Sequence, residues 1–202
     1  NNLSYVITTG TYDANANAIA VSNSDVYIAG FEKNAAGKSV AKYWKNGTAV
    51  ALSNGVYDEE ATSIAVVGND VYVTAIGTNA SGILVAKYWK NGVVVNLTDG
   101  SNFAGASAIV VKGSDVYVGG RESNGSNYIA KYWKNGTAVS VSDGSKNTYV
   151  TSIAVVGSDV YLSGIETDAT AISISKFWKN GVLTNLTNNT TSQVYSIFVT
   201  SN

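Results

Sequence analysis

The sequence predicts an all-β chain built from four-stranded antiparallel units, and three observations carry that prediction. The triplet Asp-Val-Tyr begins at Asp25, Asp70, Asp115 and Asp159, at spacings of 45, 45 and 44 residues. Tryptophan recurs at Trp44, Trp89, Trp133 and Trp178, spaced 45, 44 and 45, inside the words KYWKNGT, KYWKNGV, KYWKNGT and KFWKNGV. Each period also divides into four short runs rich in Val, Ile, Tyr and Thr, the residues that fit strands, and helical periodicity is missing throughout. Four antiparallel strands every ~45 residues is the pattern of a β-propeller blade. The 202 residues therefore read as a single repeat domain. A terminal strand d is expected at 1–10, full repeats at 11–55, 56–100, 101–144 and 145–188, and a terminal strand a at 189–202.

The second period shows the elements in order. SIAVV from Ser63 is strand a, DVYVTA from Asp70 strand b, ILVAKYW from Ile83 strand c, and VVVNLT from Val93 strand d. Between a and b stands Gly68, matched by Gly113 and Gly157, whereas the first period has Asn23. Asn is the residue next most tolerant of positive φ, so the exchange marks a left-handed turn position. The Asp of Asp-Val-Tyr is expected to serve this a–b turn through nearby backbone N–H groups. Between c and d lies Asn-Gly, at Asn46, Asn91, Asn135 and Asn180. That dipeptide between strand-like runs signals a type I′ hairpin, whose two central residues both need positive φ. The lysines that follow Trp are then solvated turn charges. A blade packs neighbours on both faces, so both parities of a strand should be apolar, as in ILVAKYW. Strand a should be innermost, with Ala20, Ala65 and Ala154 fitting a crowded axis, and the aromatic residues of the repeated word should fill the space between blades.

Composition removes several function classes. Charged residues make up 13% and nearly cancel to −1, which argues against a nucleic-acid groove or a membrane-surface patch. His, Cys, Met and Pro are absent, so disulfides, thiolate or imidazole metal sites, and the common nucleophilic triads are excluded. No apolar run approaches the ~20 residues of a spanning helix, and no leader is visible. No cofactor motif appears, and Asp58-Glu59-Glu60 lacks the alternating ligand spacing of calcium loops. A chain starting at Asn1 without Met is expected to be processed or excised.

In strand layout the repeats resemble WD-repeat propellers: SIAVVGSDVYLSG is similar to their inner hairpin, and the Trp of AKYWKNG stands where their strand c Trp stands. The resemblance spans the chain but lacks the signature. There is no Gly-His pair, and Lys follows each Trp, so that family's Asp-His-Ser/Thr-Trp tetrad cannot form. The words DVYVTA, AKYWKNGT and LTDG more closely resemble the secreted tandem-repeat propellers of Bacteroidetes-type bacteria. That resemblance implies a secreted or cell-surface bacterial chain and brings no activity with it.

Strand counting leaves five a and five d strands but four b and four c, because LSYVITTG aligns with a d strand and YSIFVTSN with an a strand. The chain is then a piece of a longer array, or a ring with one thin blade, or a sector whose bare edges take another molecule. Self-association through this incomplete terminal blade is expected.

Function is sought where the repeats differ. The a–b and c–d turns are nearly constant, whereas the d–a and b–c loops vary and share one face of the disc. Loops on a rigid scaffold commonly carry function. On that face Tyr12, Tyr57, Phe103 and Tyr149 are candidate stacking groups, and Arg121 a candidate carboxylate-pairing cation. Glu32, Glu122 and Glu166 share one repeat position just past strand b, held by Gly77 in the second period; they could form a partial carboxylate ring or tie down their loops. The expected function is a non-enzymatic extracellular binding or interaction module, with protein or glycan as partner. The alternative is a structural repeat of a surface adhesin or assembly. No catalytic residue, metal or cofactor is assigned.

Overall fold

The computed structural model describes residues 4, 6–8, 10–187 and 191–200. The described chain is all-β, with four antiparallel four-stranded sheets, each in plain sequential order. Blade 1 is β1 (Ala14–Ser22), β2 (Asp25–Lys33), β3 (Ser39–Lys45) and β4 (Thr48–Ala51); blade 2 is β5 (Glu59–Val67), β6 (Asp70–Thr78), β7 (Leu84–Lys90) and β8 (Val93–Asn96). Blade 3 is β9 (Ala104–Lys112), β10 (Asp115–Ser123), β11 (Tyr128–Lys134) and β12 (Thr137–Ser140); blade 4 is β13 (Asn147–Val156), β14 (Asp159–Thr167), β15 (Ser173–Lys179) and β16 (Val182–Asn185). The a strands β1, β5, β9 and β13 pack on one another in succession. The d strands β4, β8, β12 and β16 are four residues long and largely exposed. This is the propeller arrangement.

The turns follow the residues. Asn23, Gly68, Gly113 and Gly157 have φ of 55°, 59°, 59° and 60°, the left-handed conformation that Gly adopts freely and Asn tolerates. Asn46-Gly47 has φ of 50° and 83°, and its three counterparts follow suit, as a type I′ hairpin requires.

Each blade shows two different faces. Its leading face carries Ile, Val and Trp; its trailing face carries Tyr and Ala. Between blades 1 and 2, Tyr27, Ala29 and Ala41 pack on Ile64, Val73 and Trp89. Between blades 3 and 4, Tyr117, Ala108 and Ala130 meet Ile153, Leu162 and Trp178. Trp89, Trp133 and Trp178 are thus filler between blades, as the sequence predicts. Ala20 and Ala65 are half-buried against the inter-blade clusters, where a small residue admits the neighbour's Ile and Val.

A polar staple joins the blades near the axis. Each a strand carries a register irregularity, between Ala16 and Ala18, Ala61 and Ser63, Ala106 and Ala108, and Val150 and Ser152. The bulged residues are Asn17, Thr62, Ser107 and Thr151, and the side chain of each of the first three donates to the next blade. Asn17 Nδ2 reaches the Ala61 carbonyl at 2.8 Å, Thr62 Oγ1 the Ala106 carbonyl at 2.8 Å, and Ser107 Oγ the Val150 carbonyl at 2.6 Å. A bulge re-aims a side chain and disturbs the local ladder, so one irregularity per blade places both donor and acceptor.

The terminal strands are where sequence and structure differ. Residues 1–3, 5 and 9 of the predicted d strand, and 189, 190, 201 and 202 of the predicted a strand, lie outside the described residues. The described residues of 4–8 and 191–200 form no strand. The reason is a missing partner. A d strand needs a c strand beside it and an a strand needs a b strand, and the chain has neither to spare.

Candidate functional site

Around the constant turns every blade builds the same polar cluster. Asn46 Oδ1 accepts from the Val26 amide at 2.9 Å, and its Nδ2 donates to Asp25 Oδ1 at 2.7 Å. Lys45 Nζ lies 2.7 Å from Asp25 Oδ2, and blades 2 to 4 repeat the pairing at Lys90–Asp70, Lys134–Asp115 and Lys179–Asp159. The Asp of Asp-Val-Tyr thus fastens the c–d hairpin and not the a–b turn, because strand c lies beside the start of strand b and brings Lys and Asn to the carboxylate. The lysine after Trp is correspondingly paired. The Lys45 hydrogen bond, followed by that of Asn46, holds the Asp25 carboxyl below the usual Asp range; at Asp70 and Asp115 the Asn amide is the larger cause. Lys45 and Lys134 are pushed up to about 12, chiefly by the hydrogen bond to their aspartates.

The opposite face holds the predicted site residues. Glu32, Glu122 and Glu166 do not converge. Each turns to a lysine one strand away: Lys42 at 2.6 Å, Lys131 at 2.6 Å and Lys176 at 3.1 Å, with Lys146 also 3.1 Å from Glu166. Blade 2 has Gly77 at that position and solves the problem differently. Glu59, the register partner of Gly77, reaches Lys87 at 3.2 Å. A Cβ on Gly77 would stand 2.7 Å from Glu59 Cγ, so the glycine makes room for the substituted carboxylate. All four opening lysines of the repeated word are thereby neutralised.

The variable loops share a brace that their sequences disguise. Asn34 Oδ1 accepts from the amides of Ala36 and Lys38 while its Nδ2 donates to the Gly55 carbonyl. Asn79 does the same toward Gly100, and Asn124 toward Gly144. These asparagines recur at 45-residue spacing, which is the signal that would have found them. In blade 4 Asp168 takes this position, its Oδ1 accepting from the amides of Thr170 and Ile172.

The aromatic candidates lie apart. Tyr12, Tyr57 and Phe103 are 45%, 40% and 46% exposed on separate blades. Tyr12 lines an open pocket of about 350 Å³ with Asp13, Lys33, Asn34 and Gly37. Arg121 and Tyr149 do meet, at 4.9 Å between guanidinium carbon and ring centroid, together with Tyr128, also at 4.9 Å. Among the described residues there is no group of three or more Asp or Glu placed to hold a metal ion.

Repeat symmetry is also broken on blade 1. Ile64, Ile109 and Ile153 are 7%, 8% and 7% exposed, whereas Ile19 at the same position is 66% exposed, as is Val21. Among the described residues no blade stands in front of β1. The opening is confined to the inner strand, since Trp44 on the same face is 1% exposed.

No protein-family model matches the chain, and no curated protein matches it. Among solved structures it is similar to a GH43 endo-arabinanase from Bacillus licheniformis, at 9% identity and a TM-score of 0.45, over 89% of this chain and 75% of that one. That protein is an enzyme. The expectation of a non-enzymatic binding module, with an adhesin repeat as its alternative, is corrected on this finding, and neither reading is carried forward. The likeness bears on the fold alone and brings no chemistry to this chain.

Proposed function

We propose that the chain associates with a second copy of itself, the open inner strand β1 of blade 1 seating the trailing face of a blade of the other copy. The observation that carries this reading is Ile19, exposed where its three counterparts are buried. The three internal interfaces state what fits there: a trailing face of Tyr and Ala, and a side-chain donor at the bulge. On blade 1 Ala16, Asn17, Ala18, Ile19 and Ile28 line an open recess of about 290 Å³, and the Ala16 carbonyl stands at the repeat position of the stapled Ala61, Ala106 and Val150 carbonyls. Blade 4 carries the complementary set, Tyr161, Phe177 and the bulged Thr151, whose hydroxyl has no following blade to reach among the described residues and lies 3.0 Å from Ser163 Oγ. Pairing two unlike faces is a heterologous contact, which closes into a ring or continues as an array according to the rotation per copy. A secreted or surface location in a bacterium belongs to the same reading, supported by the resemblance of the repeated words.

Light scattering across a concentration series tests it. The wild-type mass should climb above that of one chain as concentration rises, and Ile19→Asp should hold it at one chain with an unchanged circular dichroism spectrum. Ile19 is solvated in the single chain, so this substitution does not attack the core. A wild-type chain that stays monomeric throughout, or an Ile19→Asp variant that assembles equally well, refutes the proposal.

A further inference from the structure

Arg121 is the one arginine of the chain, and it stands where the other blades are apolar. Its counterparts at the same point of strand b are Phe31, Ile76 and Ile165. The position belongs to the trailing face, near the rim of the variable loops, so a charge is costly there unless something compensates it.

What compensates it is not an anion. Among the described residues every lysine has a carboxylate or a carbonyl oxygen within hydrogen-bonding distance, including Lys112, which donates to the Gly157 carbonyl at 2.8 Å. Arg121 instead rests on two tyrosine rings, Tyr128 of its own blade and Tyr149 of blade 4, each 4.9 Å away. The ring centroids are only 5.5 Å from one another and the rings are tilted by 44°. They therefore do not sandwich the cation; both lie to one side of it. Its Nε is sealed from solvent without a hydrogen-bond partner, while the Nη nitrogens are not sealed. The adjacent Glu122 offers no relief, because it points to the other side of the strand and is taken by Lys131 at 2.6 Å.

The structure assigns to this cluster the role of a carboxylate receptor. The two rings hold the guanidinium plane on one side, and its free donors can engage both oxygens of a carboxylate in a paired, fork-like contact. Cation–π backing limits the rotamer freedom that an exposed arginine would lose on binding. The inference is independent of blade 1 and of any association between copies.

Because the chain has one arginine, a uniformly 15N-labelled sample gives a single Arg Nε–H cross-peak that reports on the site without assignment. Benzoate should shift that peak and the ring signals of Tyr128 and Tyr149 along a saturable curve. Benzamide, the neutral analogue of the same shape, should not. Arg121→Ile restores the residue that blades 2 and 4 carry, so it is expected to fold, and it should lose the benzoate response of the tyrosine rings. Arg121→Lys keeps the charge but not the fork, and should weaken binding about tenfold. Absence of a saturable benzoate response, or an equal response to benzamide, would show that the cation serves inter-blade packing alone and overturns the assignment.

Discussion

Thr62 shows how much a single hydroxyl does in this molecule. It sits at the bulge of β5, donates to the Ala106 carbonyl of the next blade at 2.8 Å, and lies 3.0 Å from Thr74 Oγ1, which is fully buried. Valine keeps the shape and removes the oxygen. The Ala106 carbonyl would lose its inter-blade donor, and Thr74 would keep only its long bond to the Ser63 carbonyl at 3.4 Å. Leaving buried polar groups underpartnered costs about 1–3 kcal/mol. Thr62→Val should therefore lower the urea midpoint by a corresponding amount with little change in m-value. No measurable loss would mean that the staple is incidental to stability.

At the scale of the strand pair, blade 2 reaches the common end by an exchange of positions. Elsewhere the carboxylate sits on strand b, opposite Ala14, Ala104 or Thr148; in blade 2 it sits on strand a as Glu59, opposite Gly77. Lys87 and Glu59 are only 12% and 13% exposed at their side chains, so breaking the pair strands a largely buried charge. Glu59→Ala should cost on the order of 3 kcal/mol. Gly77→Glu alone should also destabilise, since its Cβ would press on Glu59 Cγ at 2.7 Å. Combining the two recreates the Ala104–Glu122 arrangement of blade 3 and should recover most of the loss. Simple addition of the two penalties in a double-mutant cycle would contradict this account of the pair.

For the whole molecule, the order of the blades predicts a gradient of stability. Blades 2 and 3 are covered on both faces by other complete blades, whereas blade 1 has an open inner strand. Stability in repeat arrays is approximately a sum of each unit and its interfaces, so a unit with one interface opens more readily. At dilution that keeps the chain monomeric, native-state hydrogen exchange should be slowest in β6 and β10 and faster in β2. Uniform protection across the blades would indicate one cooperative unit and refute the additive picture.

The sequence by itself determined the repeat, the strand order and the turns, because each rests on chemistry within a few residues. Asn-Gly dictates its own hairpin, the Asn23 and Gly68 exchange reveals a left-handed φ, and alternating Val, Ile and Tyr identify strands buried on both faces. It also marked Arg121, Tyr149 and the three glutamates as positions worth testing. What only the tertiary structure decided was who partners whom. For Glu32, Glu122 and Glu166 the sequence left a partial ring and a loop tie both open, but a strand's nearest ionic neighbour lies across the ladder, and each found a lysine there. Tyr128 entered the Arg121 cluster because blades 3 and 4 bring it against Tyr149, a juxtaposition no local spacing encodes. The exposure of Ile19 was invisible for the same reason. Its sequence context matches that of Ile64, and burial depends on a neighbouring blade, not on the strand that carries the side chain.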